Sequence, residues 1–297
     1  MTRDITAVGV LGCGLMGSGI AQTAAAAGYR TLVRDTSDEA LAKGRAAIER
    51  SLARLAEKGG LTAPDRAVLD RLAFTTDLAA VSEADIVIEA VTEDLDLKNG
   101  LWRELDARCP ATTIFASNTS SLTIGSMAAA TRRPDRLVGL HFFNPVPLMP
   151  LVEVVRGVAT SADTFDRAMA FARSLGKEAV TSSDTPGFLV NRLLVPYLLD
   201  AVRALESGTG SVADLDTAMR LGCGHPMGPF TLLDFVGLDT VVRIAEIMFD
   251  EYREPRFAPP PLLHRMVKAG LHGRKSGKGF YDYSVSPPAP IEVSGKR

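Results

Sequence analysis

Little in this chain points towards a membrane, a nucleic acid or an oxidising compartment. Its 297 residues hold only three cysteines, Cys13, Cys109 and Cys223, too few and too scattered for a disulfide framework or a zinc site. Reduced thiols in a cytoplasmic protein are expected. An excess of either charge is also lacking, since 33 basic residues against 35 acidic ones leave a net charge of −2. Nothing in that balance attracts nucleic acid or an anionic membrane surface, although local basic pockets for a phosphorylated ligand remain open. No apolar run is long enough to span a bilayer, and the first strand-like run begins by Ile5, which leaves no room for a signal or transit peptide. With 46% hydrophobic and 23% charged residues, the composition fits a soluble globular protein of one large or two ordinary domains.

The most informative segment runs from Gly139 to Val155, with His141 and Glu153 twelve residues apart. Leu137 to Phe142 and Leu151 to Val155 are apolar and β-prone, and Pro145, Pro147 and Pro150 stiffen the connection between them. Two strands joined in this way can set an imidazole opposite a carboxylate. An imidazole so held is a proton acceptor near neutral pH. A structural histidine with an unrelated surface glutamate would show the same spacing.

At the N-terminal end, Ala7-Val-Gly-Val-Leu11 reads as a buried strand that runs into Gly12-Cys-Gly-Leu-Met-Gly17, then a small-residue helix, Ser18 to Ala27, then a second strand, Thr31-Leu-Val33. This is a βαβ unit with G-x-G-x-x-G at its first turn. Gly12 is expected to permit the tight turn, Gly14 to admit a pyrophosphate and Gly17 to allow close helix packing. Leu15 and Met16 complete the loop, whose following helix N-terminus attracts phosphate. Asp35 ends the second strand, where a carboxylate can bind both ribose hydroxyls and would repel a 2′-phosphate, so NAD is expected over NADP. Arg34 beside it could accommodate that phosphate.

Further strands are expected at Ala84 to Val91 and Thr112 to Ser117, separated by a helix from Leu97 to Arg108 that carries the only tryptophan, Trp102. Alternation of this kind gives a doubly wound, mostly parallel sheet of the Rossmann type, with ligands at the carboxyl ends of its strands. Glu93, Lys98 and Ser117-Asn-Thr-Ser-Ser121 follow such ends; helix capping or solvated charge would explain them equally well in isolation. An insertion at about 39–72 reads as two helices around Lys58-Gly-Gly-Leu-Thr-Ala-Pro64, either an arm towards a ligand or a decorative hairpin. Thr62 is expected to cap the second of them, with Pro64 in its first turn. Past Pro186 helical patterns dominate. We therefore expect an NAD-binding domain at 1–184 and an all-α domain at 185–297, with Pro196 kinking or breaking its first helix. His225, in a turn-rich linker, reads as scaffolding. Gly273 to Tyr281 is a glycine-and-lysine loop that could approach phosphate or ribose or be solvated, and the proline-containing tail from Ser284 reads as disordered.

Taken in order, these segments resemble the L-3-hydroxyacyl-CoA dehydrogenase family, which includes the bacterial 3-hydroxybutyryl-CoA dehydrogenases. The resemblance covers about residues 5 to 283 and rests on the glycine loop, Phe115-Ala-Ser-Asn-Thr-Ser-Ser-Leu122, His141-Phe-Phe-Asn-Pro-Val-Pro147, Leu151-Val-Glu-Val154, Asp184-Thr-Pro-Gly-Phe-Leu-Val-Asn-Arg192, Pro226-Met-Gly-Pro-Phe230 and Gly277-Lys-Gly-Phe-Tyr281. It implies NAD-dependent oxidation of a 3-hydroxyacyl-CoA to the 3-ketoacyl-CoA. His141 would be the general base, Glu153 its orienting carboxylate, Ser120 a hydrogen-bond partner of the reacting oxygen and Asn191 a substrate contact. Asp35, Glu93, Lys98, Ser120, Asn144 and Lys275 would touch NAD, and Ser51 and Lys58 would touch coenzyme A. A homodimer through the second domain is implied as well. The tail after Tyr283 exceeds the usual family ending. A Rossmann dehydrogenase resembling 6-phosphogluconate dehydrogenase would use a lysine base in a Gly-Gly-x-x-x-Gly-Lys setting, which does not occur here, whereas relatives acting on gulonate share parts of this scaffold. A purely structural NAD-binding protein would have no use for Ser120, His141, Glu153 and Asn191 together.

Overall fold

The computed structural model describes residues 5–58 and 65–292. By internal contacts the chain divides into two compact units, Met1–Phe188 and Leu189–Arg297.

The first unit begins with β1 (Ala7–Leu11), α1 (Leu15–Ala26), β2 (Arg30–Arg34), α2 (Asp38–Glu57), α3 (Asp65–Leu69) and β3 (Leu72–Thr75). It continues with β4 (Ile86–Glu89), α4 (Leu95–Arg108), β5 (Ile114–Ser117), α5 (Ile124–Ala128), β6 (Leu137–Phe142), β7 (Leu151–Arg156), α6 (Ala162–Ser174) and β8 (Glu178–Ser183). Its eight strands form one sheet in the order β3-β2-β1-β4-β5-β6-β7-β8. The first six follow the dinucleotide-binding order, in which the chain reverses direction across the sheet between β1 and β4 and leaves a crevice at the strands' carboxyl ends. All neighbours run parallel except β6 and β7, which are antiparallel.

Both sheet faces are covered, which explains why β1, β4, β5 and β6 are buried along their whole length. Val8, Val10, Ile86 and Ile88 pack into one apolar layer together with Ile20 and Ala24 of α1. Val87 and Phe115 face the other layer, against Trp102 and Leu105 of α4. Two strands escape sequence reading. β3 is a half-buried edge, and β8 mixes glutamate, threonine and serines with only Ala179 and Ser182 buried.

The insertion forms helices as expected, yet α2 is no free arm. Ser37 caps it by accepting a hydrogen bond from the Ala40 amide, and Asp38 and Glu39 sit in its first turn. Leu41, Gly44, Ile48 and Leu52, spaced three to four apart, form its buried stripe. Ile48 and Leu52 pack with Ala25 of α1 and Val68 of α3. Gly44 crosses directly over the glycine loop, where an added Cβ would lie 2.1 Å from Cys13 Sγ. The turn at 59–64, with the expected Thr62 cap and Pro64, lies outside the described residues.

The second unit contains α7 (Val190–Glu206), α8 (Val212–Gly222), α9 (Pro229–Val236), α10 (Leu238–Tyr252) and α11 (Pro261–Lys268), with a small antiparallel pair of β9 (Tyr281–Asp282) and β10 (Ala289–Pro290). α7 runs on through Pro196, and Gly237, at φ 100°, separates α9 from α10. The core is apolar and continuous, with Leu198, Phe230, Val241 and Phe280 among its buried side chains. Two buried carboxylates fasten the end of the chain to it. Asp234 accepts from the Phe280 and Tyr281 amides, each at 2.8 Å, and Asp216 from the Tyr281 hydroxyl at 2.9 Å. The expectation of disorder from Ser284 is therefore overturned as far as residue 292. β10 pairs with β9, the Ile291 amide donates to the Phe280 carbonyl at 2.9 Å, and the Ile291 side chain packs on the core.

Gly17 has a sharper constraint than general helix-on-strand packing. A Cβ there would lie 1.9 Å from the Gly12 carbonyl oxygen, so α1 rests on its own loop. Gly17→Ala is expected to lower the melting temperature by roughly 3–10 °C through overpacking, read by calorimetry without ligand. An unchanged melting temperature would contradict this packing.

Candidate active site

The pair anticipated from sequence is formed by strand register. In the antiparallel β6–β7 pair His141 stands directly opposite Glu153. The imidazole Nδ1 lies 2.6 Å from Glu153 Oε2, and Glu153 is fully buried. A carboxylate only accepts, so Nδ1 carries the proton and donates, leaving the lone pair of a neutral ring on Nε2. The rings of Phe143 and Phe188, with centroids 4.6 and 5.6 Å from that of His141, fix the imidazole from two sides. Phe188 closes the first unit, a few residues beyond the expected boundary, and also packs among Ile124, Met127 and Val155.

The connection from β6 to β7 has prolines where amides would otherwise pair. Its carbonyls find a donor in a residue that sequence reading missed. The Lys177 ammonium donates to the Val146 and Met149 carbonyls at 2.7 and 2.8 Å, and burial pushes its pKa down. Asn144, at the start of this connection, is exposed. On the other flank the Asn118 side-chain carbonyl accepts from the Phe142 amide at 2.8 Å, tying the end of β6 to the loop after β5.

That loop carries Ser120, which is half-buried, and Glu93 organises it. Glu93 Oε1 accepts from the Thr119 hydroxyl, from the Ser120 amide at 3.2 Å and from the Ser121 hydroxyl at 3.0 Å. Burial alone would push the Glu93 pKa up, but the Lys98 ammonium and the Thr119 and Ser121 hydroxyls outweigh it and hold the carboxyl below its ordinary range. Lys98 is itself buried between two carboxylates, 2.6 Å from Glu89 and 3.0 Å from Glu93. Glu89 is the main residue that sequence reading passed over. It ends β4 fully buried, and it also accepts from the Ser117 hydroxyl at 2.6 Å and the Val91 amide at 2.8 Å. The available signal was a lone carboxylate closing an apolar strand at its carboxyl end.

At the glycine loop, Gly12 adopts φ +92°, and a Cβ there would strike the Ala90 carbonyl at 2.6 Å. Gly14 differs: a Cβ built on it meets nothing within 4 Å, and α1 has no capping side chain over its N-terminal amides. Leu15 beside it is exposed and Met16 half-buried. An open approach to uncapped amides at a helix N-terminus fits a dinucleotide's phosphates. Asp35 Oδ2 accepts from the Cys13 amide and Oδ1 from the Thr36 amide, both at 2.6 Å, which binds the end of β2 to the loop. Burial and then the Asp35 charge push the Cys13 thiol up to about 11, which leaves it unreactive.

Ser51 is half-buried on α2, and Lys58 is exposed at its C-terminal end. In the second unit Asn191 lies in the first turn of α7. Lys275 is exposed on the turn pinned by Asp234 and donates to Asp239 at 2.7 Å. His225 shares a 3.2 Å hydrogen bond with the Tyr197 hydroxyl. No helix of the described residues is long and apolar enough to cross a membrane, and no cluster of metal-binding side chains occurs among them.

Comparison with known proteins agrees along the chain. The family model for the 3-hydroxyacyl-CoA dehydrogenase NAD binding domain matches residues 7–185, and that for the 3-hydroxyacyl-CoA dehydrogenase C-terminal domain matches residues 187–283. Over 286 residues the chain is 49% identical to 3-hydroxybutyryl-CoA dehydrogenase of Mycobacterium tuberculosis, covering 95% of this chain and 100% of that one. Human mitochondrial hydroxyacyl-coenzyme A dehydrogenase is also 49% identical, over 284 residues that cover 93% of this chain and 90% of the relative. The crystal structure of (S)-3-hydroxybutyryl-CoA dehydrogenase from Ralstonia eutropha superposes with a TM-score of 0.91 at 43% identity, covering 95% of this chain and 100% of that one. With both parts matched in order and relatives nearly half identical over almost their whole length, this chain belongs to the 3-hydroxyacyl-CoA dehydrogenase family.

Proposed function

We propose that this protein oxidises the 3-hydroxyl of an L-3-hydroxyacyl-CoA to the 3-ketoacyl-CoA, reversibly and with NAD, and that short-chain substrates such as 3-hydroxybutyryl-CoA are among those it accepts. The observation that carries the chemistry is the 2.6 Å contact from His141 Nδ1 to Glu153. Because Glu153 holds Nδ1 as the donor, Nε2 is free to take the proton of the 3-hydroxyl. In reverse the imidazolium returns it to the forming alkoxide. Bound NAD supplies the acceptor for the hydride leaving C3. Ser120 hydrogen-bonds the reacting oxygen, and Asn191 helps to hold the substrate. The glycine loop and Asp35 hold the adenosine and phosphate end of the coenzyme. Asn144 and Lys275 are further coenzyme contacts, and Ser51 and Lys58 meet the coenzyme A moiety. Glu93 and Lys98 serve the coenzyme through the loop they shape.

Several features support this reading: family membership along the whole fold, the uncapped amides of α1, and a carboxylate at the end of β2 where a 2′-phosphate would be repelled. The protein is proposed to work in the cytoplasm as a homodimer joined through its second unit, whose helices leave Leu193 and Leu221 exposed. Light scattering is expected to give twice the chain mass of 31.6 kDa; a monomeric mass would contradict the dimer.

Loss of NADH absorbance with acetoacetyl-CoA, but not with free sugar acids, tests the activity itself. In that assay His141→Gln is expected to lower kcat by about 100-fold or more, the usual size of a general-base contribution. Near-normal turnover in this variant would exclude the mechanism. Gly14→Ala is expected to leave the melting temperature unchanged, because its Cβ meets no protein atom. The same change should raise KM for NAD by at least about tenfold by obstructing the phosphates. An unaltered KM would place the coenzyme elsewhere.

A further inference from the structure

β6 outruns its parallel neighbour just where the proposed base stands. β5 ends at Ser117, opposite Gly139, while β6 continues to Phe142 and is held along its other edge by β7. Beyond Ser117 a side chain takes the place of the missing strand. The Asn118 backbone amide donates to the Glu89 carbonyl at 2.8 Å, which keeps it against the end of β4. Its side-chain Oδ1 accepts from the Phe142 amide, also at 2.8 Å. That amide belongs to the peptide bond leaving His141. A backbone N–H can only donate, so the side-chain amide of Asn118 has one orientation, oxygen towards β6. Phe142 is buried, and its N–H would have no ready substitute in water. Ser120 follows two residues after Asn118, in a turn closed by the Leu122 amide donating to the Thr119 hydroxyl at 2.9 Å. One hydrogen bond thus spans the gap between the loop that carries Ser120 and the strand that carries His141.

We infer that Asn118 is a positioning residue, whose hydrogen bond to Phe142 sets the spacing of Ser120 and His141 so that both reach the same substrate oxygen. The inference rests on the proposed function, in which Ser120 hydrogen-bonds that oxygen and His141 Nε2 takes its proton. The register with β7 and the contact with Glu153 fix His141 from one side. They do not fix how far the loop after β5 stands from β6, and Asn118 does. A displacement of about 1 Å between groups that act on one atom can cost roughly 100-fold in rate. Asn118 touches neither substrate nor coenzyme in this scheme, and only its oxygen is required.

Two substitutions separate the acceptor from the rest of the side chain. Asn118→Leu nearly keeps its size and removes the acceptor, whereas Asn118→Asp keeps an acceptor and removes the amide donor. NADH consumption with acetoacetyl-CoA is measured for both, with and without Ser120→Ala. Asn118→Leu is expected to lower kcat by about tenfold or more while KM for either substrate changes by less than about threefold. Asn118→Asp is expected to recover most of that loss. With Ser120→Ala already present the spacing no longer matters, and Asn118→Leu should lower kcat by less than about threefold further. Asn118→Ala, which also lacks the acceptor, carries the same comparison should Asn118→Leu fail to fold. A merely structural role would raise KM as kcat falls, and the loss would persist without Ser120. An undiminished loss in the Ser120→Ala background overturns the inference. So does an Asn118→Asp enzyme as slow as Asn118→Leu, because the amide donor would then be the working group. A wild type that consumes no NADH, or a Ser120→Ala enzyme with unchanged kcat, overturns the function on which the inference rests.

Discussion

A neutral imidazole can present its lone pair in a chosen direction only if its other nitrogen is held, and here a fully buried carboxylate holds it. Glu153 accepts from the His141 Nδ1 at 2.6 Å, and His141 would be free to change tautomer without Glu153. The two residues are matched because β6 and β7 run antiparallel, and the register that pairs them also aligns Gly139 with Val155 and Phe142 with Val152. One antiparallel pair in an otherwise parallel sheet is therefore the feature from which the proposed chemistry follows. It lets two strand residues twelve apart meet side by side, whereas a parallel connection would need a longer crossover.

Around that pair, polar side chains take over wherever regular pairing stops. Lys177 serves carbonyls in the proline connection, Asn118 receives the Phe142 amide, and Glu93 gathers the Ser120 loop. Each of these groups is buried or half-buried and would be unfavourable without its partners. Their cooperation ties the ends of β4, β5 and β6 into one rim. The glycine loop is governed by contact distance rather than charge. Gly17 lies against the Gly12 carbonyl and Gly44 of α2 against Cys13, while Gly14 alone keeps open space before it.

Some of this was readable from sequence for clear physical reasons. The β1–α1–β2 unit shows because glycine spacing and a buried apolar strand constrain each other. The His141–Glu153 pair shows because two β-prone runs flank a proline-stiffened link. Glu89 stayed hidden because one carboxylate in Ile-Val-Ile-Glu-Ala-Val looks like an ordinary strand position until Lys98, on the next helix, is seen folded beneath it. β8 was missed because half of its residues face solvent and carry polar side chains. The tail was misread because prolines and serines suggest disorder, while its anchors, Asp234 and the core around Phe280, are distant in sequence. Composition could not indicate that Ile291 would find an apolar surface.

The central claim concerns where one proton resides. Nitrogen-15 NMR of the ring in histidine-labelled protein, assigned by comparison with a His141 variant, measures this directly. At a pH where the imidazole is neutral, Nδ1 is expected to show the protonated, pyrrole-type shift and Nε2 the unprotonated, pyridine-type shift. The reverse pattern would mean that Glu153 does not hold the ring as described, and Nε2 could not then be the proton acceptor.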